Sequence, residues 1–121
     1  MTTVQRDLKI LVHQEIARET FCLTLDASDL PGLPEPGTFY NLTVPDSLFI
    51  LKRPISIFQV DREKRELTMI YKVMGQGTEL ISRLEAGAMI QVMGPLGSGF
   101  PIQETKGRIL LIGGGVGVPP L

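Results

Sequence analysis

From Leu8 to Ile16 the even positions carry Leu8, Ile10, Val12 and Ile16, a period near two that predicts a half-buried strand. A second strand follows, in which Phe21, Leu23 and Leu25 alternate with Cys22, Thr24 and Asp26. The run from Asp29 to Gly37, with Pro31, Pro34 and Pro36, then breaks regular structure because proline supplies no N–H donor. Strand-like composition returns at 38–44, 55–60 and 67–74, and the charged stretch Asp61-Arg62-Glu63-Lys64-Arg65-Glu66 reads as a hairpin turn between the last two. The helical signal lies at Thr78–Glu85, where Leu80, Ile81 and Leu84 share a face, Thr78 is placed to cap and Gly87 to stop the helix. A sixth strand is expected over 89–93.

Short strands joined by polar or proline-rich connections favour a sandwich or barrel over alternating strands and helices, and a barrel is the expectation here. The segment Arg108-Ile109-Leu110-Leu111-Ile112 differs in kind. It is continuously apolar, as for a strand buried on both faces of a parallel sheet, and Gly113, Gly114, Gly115 and Gly117 follow directly. The expected organisation is therefore a mainly β domain over 1–104, followed over 105–121 by the start of a second, truncated α/β domain.

Composition narrows the function classes. The 121 residues are 43% hydrophobic and 21% charged, which suits a folded domain. A net charge of -1 offers no general attraction to polyphosphate or anionic lipid, so neither nucleic acid nor membrane is an expected partner. No apolar stretch reaches the ~20 residues of a membrane span. The single cysteine, Cys22, makes no internal disulfide and the N-terminal residues alternate in polarity, so a cytoplasmic setting is expected.

Several short motifs could carry chemistry. In Lys52-Arg53-Pro54-Ile55-Ser56-Ile57, Arg53 offers a planar fork of donors for phosphate oxygens, Pro54 directs the chain into extended geometry and Ser56 adds a small hydroxyl. Taken alone, the same residues also describe a surface arginine before an ordinary strand. Ile70, Tyr71 and Lys72 put an aromatic ring and a cation on a second strand, where one face can pack and the other meet a ligand. Gly75, Gly77 and Thr78 at the helix start suit either a close anion contact or a tight strand-to-helix turn. The glycines of Gly94-Pro95-Leu96-Gly97-Ser98-Gly99-Phe100-Pro101 permit close approach to a flat ring, or make a constrained turn. Gly113–Gly117 follow an apolar run as a dinucleotide-binding turn would, although Pro120 stands where a third spaced glycine belongs. His13 has no metal-ligating neighbour and reads as a surface strand residue; Cys22 reads as an inert barrel residue.

In this order the motifs resemble those of the ferredoxin-NADP reductase superfamily. Within it "KRPISI", "GPLGSGFP" and "LLIGGGVGVPPL" look closest to the electron-transfer subunits of bacterial type 1B dihydroorotate dehydrogenases. The resemblance implies a six-stranded antiparallel Greek-key barrel holding FAD, then a nucleotide-binding domain for NAD and a [2Fe-2S] cluster. It implies that Arg53, Pro54, Ile55, Ser56, Ile70, Tyr71, Lys72, Gly77 and Thr78 bind the flavin, the last two at its pyrophosphate. No residue is assigned a catalytic or metal-ligating role. The implied partner is an FMN-containing dihydroorotate dehydrogenase catalytic subunit, in a heterotetramer that passes electrons through the cluster and FAD to NAD in pyrimidine biosynthesis. Ile55 stands where the superfamily often has an aromatic residue, and one cysteine cannot ligate the cluster, so the chain is expected to be a truncated form. Two other readings stay open: a sulfhydrogenase-type or ferredoxin-dependent reductase subunit, and a non-redox binding barrel.

Overall fold

The computed structural model describes residues 2–45, 52–102 and 106–121. Six strands, β1 (Val4–Ala17), β2 (Thr20–Asp26), β3 (Phe39–Leu42), β4 (Arg53–Asp61), β5 (Glu66–Lys72) and β6 (Met89–Leu96), close into a barrel in the order β1-β2-β5-β4-β3-β6. Every pairing is antiparallel. The β3-β4-β5 meander is flanked by β2 beside β5 and by β6 beside β3, which makes two overlapping Greek keys. One short helix, α1 (Gln76–Ser82), lies between β5 and β6. The expected boundary between residues 104 and 105 lies outside the described residues.

Alternation along the strands fills the interior. Leu23 and Leu25 of β2, Leu67, Met69 and Tyr71 of β5, Ile55 and Ile57 of β4 and Ile90 and Val92 of β6 all point inward and are buried. The two tight turns follow from local chemistry. In the β4–β5 hairpin the Asp61 carboxylate accepts from the N–H groups of Glu63 and Lys64, at 3.1 and 3.0 Å. In the β1–β2 hairpin Glu19 adopts a φ of 54° and its N–H donates to the Glu15 carboxylate at 2.8 Å.

β1 departs from simple alternation. Leu8 and Ile10 are buried, yet Val12 is 41% and Ile16 49% exposed. The register moves from Ile10↔Leu25 to Val12↔Thr24, so two steps on β1 oppose one on β2. That bulge reverses which residues face the core. It occurs where Ile10 also pairs with the turn before β6: its N–H donates to the Ala88 carbonyl and its carbonyl accepts from Gly87, both at 2.8 Å. Beyond the bulge His13, opposite buried Leu23, turns inward.

Three further expectations need correction. The helix begins at Gln76 and ends at Ser82, two to three residues earlier than the apolar spacing suggests. Thr78 is not its cap: Gly75 holds that position, and the Thr78 hydroxyl accepts from Met74 N–H at 2.8 Å and donates to Gly75 O at 3.2 Å. Residues 108–112 form no strand, and Leu110 and Ile112 are 82% and 81% exposed. A strand requires a paired neighbour, and the closed barrel leaves no free edge to supply one. The glycines beyond them make a short 3₁₀ turn at Gly115–Gly117.

Candidate functional site

β4 and β5 run side by side, and alternation turns Pro54 and Ser56 of β4 and Lys72 of β5 to the outer face of the barrel. Ile55 and Tyr71 turn inward behind them. At one end of this surface α1 closes the corner. Together these elements border a cleft of about 250 Å³ lined by Arg53, Pro54, Ile55, Ser56, Ile70, Tyr71, Lys72, Met74 and Thr78. Val116 and Pro120, from the glycine-rich C-terminal segment, complete its wall.

Eight of the nine residues singled out in the sequence therefore line one cleft, and the ninth, Gly77, lies against it. A Cβ at Gly77 would meet the Arg53 side chain 2.5 Å from Nε and 3.0 Å from Nη2, so the missing side chain makes the space in which the guanidinium rests. Arg53 and Lys72 supply positive charge, and none of the lining residues is a carboxylate. The charge of the cleft thus favours an anionic ligand.

A second cavity of about 380 Å³ shares Ile70, Lys72 and Val116 with the first and extends along the barrel past Phe58, Thr20 and Ile16. Phe58, 44% exposed, is an aromatic surface in that direction. Spacing in the sequence singled out neither Met74 nor Val116 and Pro120 for this cleft. The last two belong to a turn read as part of a different nucleotide site, and only the folded path of the chain brings them here.

Tyr71 contributes differently from the expectation of a ring at the ligand. Its ring is buried and stacks on Phe21, with centroids 5.7 Å apart and planes inclined by 18°. Its hydroxyl lies 2.7 Å from His13 Nε2, and His13 Nδ1 lies 2.7 Å from the Leu84 carbonyl. His13 is therefore not a surface strand residue. Burial pushes its pKa below the ordinary value, against a smaller upward pull from the Leu84 carbonyl, while burial drives Tyr71 well above the ordinary phenol.

The glycines at the end of β6 and after it also serve packing. A Cβ at Gly94 would be driven into the ring of Tyr40, one at Gly97 would stand 3.1 Å from Cε1 of Phe39, and one at Gly99 3.0 Å from the Glu35 carboxylate. They accommodate β3 aromatics and the proline-rich loop. Cys22 is unpaired, and among the described residues no cluster of three or more metal-ligating side chains occurs. Four cysteines normally hold a [2Fe-2S] cluster, so the residues of this chain do not fit one. No helix among the described residues is long and apolar enough to cross a membrane.

No protein-family profile matches the sequence. Among curated proteins, the dihydroorotate dehydrogenase B (NAD(+)) electron transfer subunit of Bacillus cereus is 44% identical over 122 residues, covering 98% of this chain and 47% of its own length. The corresponding Bacillus anthracis subunit is 43% identical with the same coverage. The chain thus spans about half the length of the curated relatives it matches. Among solved structures, an Amycolatopsis cytochrome P450 reductase superposes with a TM-score of 0.80 at 32% identity, over 98% of this chain and 38% of that one. Phthalate dioxygenase reductase, at 21% identity and a TM-score of 0.61 over 73% of this chain and 28% of its own, shares the fold.

Proposed function

We propose that this chain, a homologue of the electron transfer subunits of dihydroorotate dehydrogenase B with the barrel of ferredoxin-NADP reductase-like proteins, holds FAD in the cleft between β4, β5 and α1. The observation that carries the reading is the convergence on one cleft of Arg53, Ser56, Lys72 and Thr78, with Gly77 leaving room for the arginine.

The residues fit the cofactor part by part. Arg53, against Gly77, would bind the pyrophosphate oxygens with its fork of donors. Lys72 adds a second positive charge, and Ser56, exposed on the outer face, offers a hydroxyl to the polar edge of a ring. Ile70, Ile55 and Val116 supply apolar contact. The adjoining cavity gives an extended dinucleotide somewhere to continue. When bound, FAD supplies the redox chemistry, and the protein's part is to hold it and to set its electrostatic surroundings. No side chain of the cleft need move a proton for that task.

In this reading the parent protein passes electrons from dihydroorotate, oxidised in an FMN-containing catalytic subunit, through an iron–sulfur cluster and FAD to NAD. Support comes from the names of the curated relatives. A heterotetramer with that subunit in the cytoplasm goes with it, as do NAD and cluster sites in the half of the relatives' length that this chain does not span.

The test is visible absorbance of the purified chain after incubation with FAD and removal of free cofactor, alongside Arg53→Ala. Flavin absorbance retained by the wild type and lost in the variant supports the site. Equal retention by both removes Arg53 from it, and a longer chain extended to its relatives' length that retains no flavin overturns the reading.

A further inference from the structure

The bulge in β1 brings a histidine to a place that no motif in the sequence marks. His13 reaches two elements at once: Nε2 lies 2.7 Å from the Tyr71 hydroxyl on β5 and Nδ1 lies 2.7 Å from the carbonyl of Leu84, just beyond α1. Between Tyr71 and Leu84 runs the whole stretch that carries Lys72, Met74, Gly77 and Thr78 to the cleft. We propose that His13 is a positioning residue for the flavin cleft, tying the two ends of this stretch together and so holding α1 and Gly77 at the distance from β4 that Arg53 requires. The inference rests on the reading of the cleft as a flavin site.

The chemistry of the two bonds fixes their direction. A carbonyl only accepts, so Nδ1 must carry the hydrogen. In the neutral ring Nε2 is then a lone pair, and the Tyr71 O–H donates to it. A Phe, Leu or Met could fill the same volume beside Phe21 and Tyr71, whose rings lie 5.5 and 5.9 Å from the imidazole. None of them could make either bond. Half-burying an imidazole costs solvation that an apolar ring would not lose, and the bonds at both of its ends offset that cost. Bulges commonly serve to re-aim one side chain, and this one aims His13.

If the stretch between Tyr71 and Leu84 is loosened, the fraction of molecules with a formed cleft falls and apparent affinity falls in proportion. The test titrates the chain with FAD as wild type, His13→Phe, Tyr71→Phe and the double variant. Visible circular dichroism of the bound flavin and thermal unfolding of each protein are recorded alongside. His13→Phe keeps a ring in the cluster and loses both bonds; it is expected to weaken FAD binding roughly tenfold and to change the flavin dichroism. Tyr71→Phe loses one bond and is expected to weaken binding about threefold, with the double variant no weaker than His13→Phe. Unchanged affinity and dichroism in His13→Phe would overturn the proposal. So would a weaker affinity that follows lost thermal stability while the bound flavin keeps its wild-type dichroism, because that is the mark of a merely structural residue. Should His13→Phe fail to fold, Tyr71→Phe decides in the same way. A chain extended to its relatives' length that takes up no FAD overturns the reading of the cleft, and this inference with it; uptake by wild type and variants alike sinks only the role of His13.

Discussion

The guanidinium of Arg53 occupies the space that a side chain on Gly77 would need: a Cβ there would stand 2.5 Å from Nε and 2.9 Å from Cζ. Gly77→Ala therefore displaces the arginine without removing it. Alanine is the better helix former by about 1 kcal/mol, which works against any loss of stability in α1. The expected result is a thermal midpoint close to wild type with FAD affinity reduced about tenfold, read by fluorescence titration.

Arg53→Lys tests whether charge or the planar fork matters. Lysine keeps the charge but presents it as a point with rotatable donors. FAD binding is expected to lie between wild type and Arg53→Ala. Affinity in Arg53→Lys equal to wild type would show that charge alone suffices.

Gly94→Ala probes the barrel and not the cleft. The new methyl would be forced into the ring of Tyr40, with Cε1 and Cγ at 2.8 Å, and Tyr40 is fully buried. Overpacking of this kind costs about 1–3 kcal/mol. The urea midpoint should fall with the slope unchanged, in contrast to Gly77→Ala.

The stability of the fold should depend on pH through His13, the only histidine in the chain. Burial holds its pKa below the ordinary 6.5 in the folded state. As pH falls through 6.5 the unfolded chain takes up a proton before the folded one, so stability is lost until pH drops below the folded value. Above 6.5 both states are neutral and the effect vanishes. Thermal midpoints measured from roughly pH 8 to 5 should decline for wild type and stay flatter for His13→Phe. Asp26, held down by hydrogen bonds from Ser28, acts only below its ordinary 3.8 and leaves this window clear.

Much of the barrel was legible in the chain because strand patterning is local. Leu23 and Leu25, or Leu67 and Met69, alternate with polar or outward residues at the period of two that an extended backbone imposes, and the structure buries them. The set of residues that lines the cleft was legible for a related reason. Arg53-Pro54-Ile55-Ser56 and Ile70-Tyr71-Lys72 each lie on a single strand, so their spacing survives folding, and the antiparallel pairing of β4 with β5 sets them side by side.

What sequence alone determined was the place of the six barrel strands along the chain, their buried faces away from irregularities, and most of the residues that line the cleft. Tertiary structure alone decided which way β1 faces beyond Ile10, because the bulge lies in its pairing with β2, at the residue that also bonds Ala88 and Gly87, remote in the chain. A single inserted residue reverses alternation, so Val12 and Ile16 turn to solvent and His13, unremarkable by its neighbours, meets Tyr71 and Leu84. It likewise decided that the apolar run 108–112 stays exposed and that Val116 and Pro120 reach the cleft, since pairing partners and long-range contacts are properties of the closed barrel and not of any local pattern.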